Sequence, residues 1–186
     1  MIFYKFIHFP PMKKAIRILL LGDSLVAFFD WQARFKDMTV LNRGIPGETV
    51  QGLLARLPGE LAAAGFVDVI VVMIGANNLV REDYGFLPDY EEILVTVRSV
   101  LPEARLVVTS LLPFQLPWLA DHTVVRLNVS LRAIAARNQA EYLNVCDPFI
   151  AAAQAGNPGF FEDGVHLTEK GYDIWATLLA THIIRE

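Results

Sequence analysis

Val67-Asp68-Val69-Ile70-Val71-Val72-Met73-Ile74 is β-branched and apolar almost from end to end. A single charged position leaves neither face reserved for water, and the run has the length of a strand. This pattern predicts a strand buried on both faces of a parallel sheet. Working outward, residues 16–21 (IRILLL), ended by Gly22, and residues 105–110 (RLVVTS) repeat it. Residues 39–41 form a short strand between polar ends, and residues 142–145 a weaker fifth. Helical spacings of three and four separate them. They bring together Val50, Leu53, Leu54, Leu57 and Leu61 in residues 49–64, and Ile93, Leu94, Val97 and Val100 in residues 89–101. The same spacing collects Leu127, Leu131, Ile134 and Ala135 in residues 124–138, and Ile174, Leu178 and Leu179 in residues 170–184, with Thr168 as N-cap. Strands alternating with helices imply right-handed crossovers. The fold expected is α/β: a three-layer α/β/α sandwich around a mainly parallel five-stranded sheet.

Composition narrows the partners. The 186 residues are 54% hydrophobic and 19% charged, enough apolar material for one sizeable core. A net charge of −4 gives no reason to expect nucleic acid or an anionic membrane. Small molecules or neutral polymers remain. Cys146 is the only cysteine, so no internal disulfide or cysteine-rich metal site can form, and it reads as a small buried residue near a strand end.

Residues 1–11 are aromatic and apolar but end in Pro10-Pro11 and are too short to span a bilayer. They are read as an N-terminal extension outside the core, with residues 12–186 as a single domain. From Met12 the sequence looks like a secretory start, but cleavage there would remove the first strand, so a cytoplasmic location is expected.

In parallel α/β sheets, functional groups gather at the carboxyl ends of the strands. The first strand ends in Gly22-Asp23-Ser24-Leu25, which presents a serine at the rim with its backbone N–H toward the site. Ser24 reads equally as nucleophile or as helix cap on this segment alone. The second strand runs into Asn42-Arg43-Gly44-Ile45-Pro46-Gly47-Glu48-Thr49, where a glycine offers an unshielded N–H. The third ends in Gly75-Ala76-Asn77-Asn78, rich in amide donors. Just before the last helix, Asp163 and His166 stand three apart. One turn can point both the same way, so that the carboxylate holds one ring nitrogen and leaves the other as base. His8, His122 and His182 have no partner at such spacing.

With these four segments the chain resembles the SGNH hydrolases, or GDSL esterases, whose blocks carry Ser, Gly, Asn and His in that order. Ser24, Gly47, Asn77 and the Asp163-x-x-His166 pair occupy those places. One departure is Asn78, where the family usually has aspartate, which puts the bonding of that loop in question. The resemblance implies a flavodoxin-like SGNH fold and hydrolysis of carboxylic esters, with short-chain acyl or acetyl groups favoured. It implies Ser24 as nucleophile, His166 as base, Asp163 as orienting acid, and an oxyanion hole from the N–H groups of Ser24 and Gly47 and the Asn77 amide. No cofactor or metal is implied. Activity should rise with pH through roughly 6 to 7 as the base loses its proton.

Asp23 is read as a loop-bonding carboxylate, since the triad acid already exists at Asp163. Phe114 and Trp118, in the apolar loop after the fourth strand, and Phe160 and Phe161 either wall an acyl pocket or pack beneath the loops. Thioesterase, lysophospholipase and acyltransferase activities use the same site and stay open. The reading from another class is a ligand-binding domain of this fold without activity. A nucleotide-binding module is disfavoured, because the first strand opens into GDSL rather than G-x-G-x-x-G.

Overall fold

The computed structural model describes residues 15–120 and 122–184. The expectations for residues 1–11 fall outside the described residues. Five strands, β1 (Arg17–Gly22), β2 (Thr39–Gly44), β3 (Val69–Met73), β4 (Arg105–Thr109) and β5 (Glu141–Leu143), form one sheet in the order β2-β1-β3-β4-β5. Every pairing is parallel. All five residues of β3 are buried, as its unbroken apolar run requires.

The helices follow from the strand order. Right-handed crossovers from β2 to β3, β3 to β4 and β4 to β5 advance in one direction, which sets α3 (Val50–Ala64), α5 (Leu87–Val100) and α6 (Thr123–Arg137) on one face, with the short α4 (Ala76–Val80) leading from β3 toward α5. The step from β1 to β2 runs the other way, so α1 (Ser24–Ala27) and α2 (Trp31–Arg34) fall on the opposite face, with α8 (Glu169–Ile183) against α2. Neighbouring connections diverge between β1 and β3, and that switch point opens a crevice at the carboxyl edge.

Several elements differ from the sequence reading. β2 runs on through Asn42, Arg43 and Gly44, because pairing with β1 continues to Gly22↔Gly44. As an edge strand it tolerates polar residues that an inner strand would not. α5 starts at Leu87, with Pro88 in its first turn, where a missing N–H costs nothing. The helix α7 (Cys146–Gln154) was not expected; its first turn contains Pro148, and Asn144 Oδ1 accepts from Asp147 N at 3.2 Å. Among the described residues, no helix is long and apolar enough to cross a membrane.

Candidate active site

β1 delivers Asp23 and Ser24 to the crevice. Asp23 is the N-cap of α1, its Oδ1 accepting from Leu25 N at 3.0 Å. Ser24 is the first residue of that helix, so its own N–H has no acceptor within the helix. The residue is only 4% exposed, and its Oγ lies 3.1 Å from His166 Nε2.

The loop that carries Asp163 and His166 is held by its own backbone. An isolated bridge between Phe161 and Leu167 closes it, with Glu162 N donating to His166 O at 2.8 Å. Within it, Asp163 Oδ1 accepts from the N–H groups of Val165 at 3.0 Å and His166 at 2.8 Å, while Oδ2 lies 2.7 Å from His166 Nδ1. The His166 ring, then its backbone N–H, holds the Asp163 carboxyl down at about 2, so it stays charged wherever an imidazole titrates. Gly164 has φ +90°, and a Cβ there would sit 2.6 Å from Gln115 O. Its own carbonyl accepts from Gln115 N at 2.8 Å, which docks the apolar loop after β4 onto the Asp163–His166 loop.

Two further segments face the crevice. Gly47 has φ +78°, which sets the turn after β2. Asn77 Nδ2 donates to Glu48 O at 3.0 Å, spending one of its two hydrogens and fixing the amide's orientation. Asn78, the residue that departs from the family pattern, is fully buried. Its Oδ1 accepts from Val50 N at 3.0 Å, and its Nδ2 donates to Gln51 Oε1 at 2.9 Å and Asp83 Oδ2 at 2.7 Å. An aspartate here would oppose the Asp83 carboxylate, which needs a donor. The loop therefore uses the amide for bonds a carboxylate could not make.

The four aromatic candidates separate. Phe160 is 4% exposed and packs edge-on to Phe149 at 5.3 Å, and Phe161 lies 6.3 Å from Phe114, itself buried. Trp118 lines a different cleft, with Tyr84 and Arg126. The cleft of about 390 Å³ that contains His166 is lined instead by Phe28, Phe29, Glu162, Leu167, Glu169 and Tyr172. Phe28 is 61% exposed and its ring lies 5.6 Å from that of His166. Sequence reading passed over it, although Phe28-Phe29 directly after the short helix α1 is an apolar pair.

Burial pushes the Asp23 carboxyl up to about 7, against the N–H groups of Leu25 and Ala76, which favour its charged form. The folded protein thus holds a proton between pH 4 and 7 that the unfolded chain has released, so this group lowers stability as pH rises through that window. Melting temperatures of wild type and Asp23→Asn should therefore diverge between pH 4 and pH 7, the variant falling less. Parallel curves would rule the assignment out. Cys146 is buried at the start of α7, and burial raises its thiol to about 11, which keeps it uncharged at neutral pH.

Comparison with known proteins agrees with the geometry. The profile of the GDSL-like Lipase/Acylhydrolase family matches residues 20–174. Platelet-activating factor acetylhydrolase IB subunit alpha1 of Bos taurus is 30% identical over 166 residues, covering 86% of this chain and 71% of that protein. Subunit alpha2 of Rattus norvegicus is 30% identical over 165 residues, 83% of this chain and 70% of its own length. Among solved structures, a GDSL-like lipase of Bacteroides thetaiotaomicron VPI-5482 superposes with TM-score 0.74 at 25% identity, over 90% of this chain and 87% of the other. The lipase/acylhydrolase of Enterococcus faecalis shares the fold at TM-score 0.78 and 18% identity, over 90% and 95% of the two chains. A profile match across most of the chain, on a sheet that places the GDSL serine against a histidine, makes this protein a member of the GDSL-like lipase/acylhydrolase family and a hydrolase of ester bonds.

Proposed function

We propose that the chain hydrolyses short-chain carboxylic esters, acetyl esters foremost, through a covalent acyl-enzyme on Ser24. The observation that carries this reading is the hydrogen-bonded line from Ser24 Oγ to His166 Nε2 at 3.1 Å and from His166 Nδ1 to Asp163 Oδ2 at 2.7 Å. In this mechanism His166 takes the hydroxyl proton as Oγ attacks the ester carbonyl. The negative charge moves to the carbonyl oxygen, where the N–H groups of Ser24 and Gly47 and the second Asn77 amide hydrogen receive it. His166 then protonates the alcohol oxygen as its bond to the acyl carbon breaks. Water, deprotonated by the same ring, releases the acid and restores Ser24. Asp163 keeps the ring in the tautomer that presents Nε2 as acceptor and steadies it when protonated.

Short acyl groups are favoured on two grounds. The 30%-identical relatives are named acetylhydrolases. In addition, Phe160 is buried against Phe149 rather than lining an open acyl tunnel. The test is a p-nitrophenyl ester series from acetate to decanoate, with fluorophosphonate labelling of Ser24 in parallel. Highest kcat/KM at acetate to butyrate, together with labelling of Ser24, is expected. A protein that neither turns over any ester nor takes the label is not a serine esterase.

A further inference from the structure

Next to the proposed oxyanion donors lies a charge cluster that the chemistry above does not use. Arg56, on α3, donates from Nε to Glu48 Oε1 at 2.7 Å and from Nη2 to Glu48 Oε2 at 2.6 Å. The same Nη2 donates to Arg43 O at 2.8 Å, and Nη1 meets Glu60 Oε1 at 3.0 Å. One guanidinium therefore grips the turn after β2 at both ends, at Arg43 in the strand and at Glu48 beyond Gly47. The Glu48 and Arg56 side chains are only 8% and 18% exposed. A Cβ on Gly52 would lie 2.9 Å from Glu48 Cγ, so the helix backbone leaves room for the carboxylate's stem. Glu48 also supplies the carbonyl that accepts the Asn77 amide at 3.0 Å, and Arg81 Nη2 reaches Gly47 O at 3.3 Å.

A buried ion pair is a poor way to gain stability, because desolvating both charges offsets much of their attraction. A bidentate pair is, however, a good way to fix geometry. We propose that Glu48 and Arg56 are positioning residues that set the Gly47 turn and the Asn77 amide for oxyanion stabilisation. The inference rests on the ester-hydrolase reading. Its action runs from Arg56 through the Glu48 carboxylate and backbone to the Asn77 amide, and neither charged group touches substrate.

The experiment compares wild type, Arg56→Lys, Glu48→Gln, Asn77→Ala and the two double variants on p-nitrophenyl acetate, each assayed below its own melting temperature. Lysine keeps the charge but loses the fork, and glutamine keeps the shape but loses the charge. Displacing oxyanion donors by a fraction of an ångström to 1 Å should lower kcat by roughly 10- to 100-fold while KM stays within about twofold. If the pair acts through Asn77, its removal should cost several-fold less in the Asn77→Ala background than in wild type. A folded variant with unchanged kcat, or losses that multiply in full in the double variants, would overturn the proposal and leave the pair a purely structural clamp. Wild-type turnover in the same assay keeps the parent reading separate: an inert wild type brings down both, whereas an active one with unaffected variants brings down this inference alone.

Discussion

Ser24→Ala should lower kcat for p-nitrophenyl acetate by at least about 10⁴-fold while leaving the fold intact. The size of the effect follows from what the hydroxyl does. In the proposed mechanism its oxygen bonds to the acyl carbon, so without it only the donors and binding would remain, and these would act on water rather than on a tethered nucleophile. The cost to stability should stay within about 1 kcal/mol, because alanine fills the site and the lost hydrogen bond is to a partly exposed imidazole. His166→Gln should fall by a similar factor, and the double variant should be little worse than either single, since a nucleophile without its base and a base without its nucleophile fail at the same step. Ser24 is buried at 4% exposure while the His166 side chain is about a third exposed, so solvent reaches the pair from the histidine side. A Ser24→Ala enzyme within about tenfold of wild type would mean that the acyl-enzyme does not form on this residue.

The largest effect on stability is expected at Trp31. This indole is 1% exposed, its Nε1 donates to Val26 O at 2.9 Å, and its ring lies 4.9 Å from Phe29 and 4.8 Å from Trp175. Phe29 in turn stacks on Tyr172 at 4.6 Å. The cluster thus ties the segment after Ser24 to α8, the helix that follows His166. Trp31→Ala should cost about 3–5 kcal/mol in urea unfolding, from the lost burial and the cavity left behind. A domain's whole stability is about 5–15 kcal/mol, so the variant should melt roughly 10 °C lower or more. Assayed below that melting point, its kcat should also fall, because the cluster joins the segment that carries Ser24 to the helix that follows His166, the proposed nucleophile and base. A cost under about 1 kcal/mol would show that the site collapses around the gap and that the cluster is not the clamp.

The inner strands were legible because burial on both faces leaves a continuous apolar run, and β3 is the clearest instance. The polar end of β2 was not, because an edge strand pairs on one side only and carries Asn42 and Arg43 without penalty. α7 escaped because, apart from Cys146, only Phe149 in it is buried, too little for a helical stripe. The Asp163–His166 pair could be read from spacing alone, since three residues span one turn. His182 meets Glu141 at 2.9 Å across 41 positions, a separation that no local pattern can report.

The sequence by itself determined the alternation of strand and helix, and with it a parallel sheet whose carboxyl edge collects the Ser24, Gly47, Asn77 and His166 segments. Periodicity, turn chemistry and short spacings are local properties, and local order is enough to specify them. Only the tertiary structure decided that Phe28, not Phe160, stands beside His166, that Asn78 rather than aspartate satisfies Asp83, and that Arg56 grips the Gly47 turn. Each of these depends on which groups from distant segments meet in one volume, and that is settled by how the helices pack across the sheet.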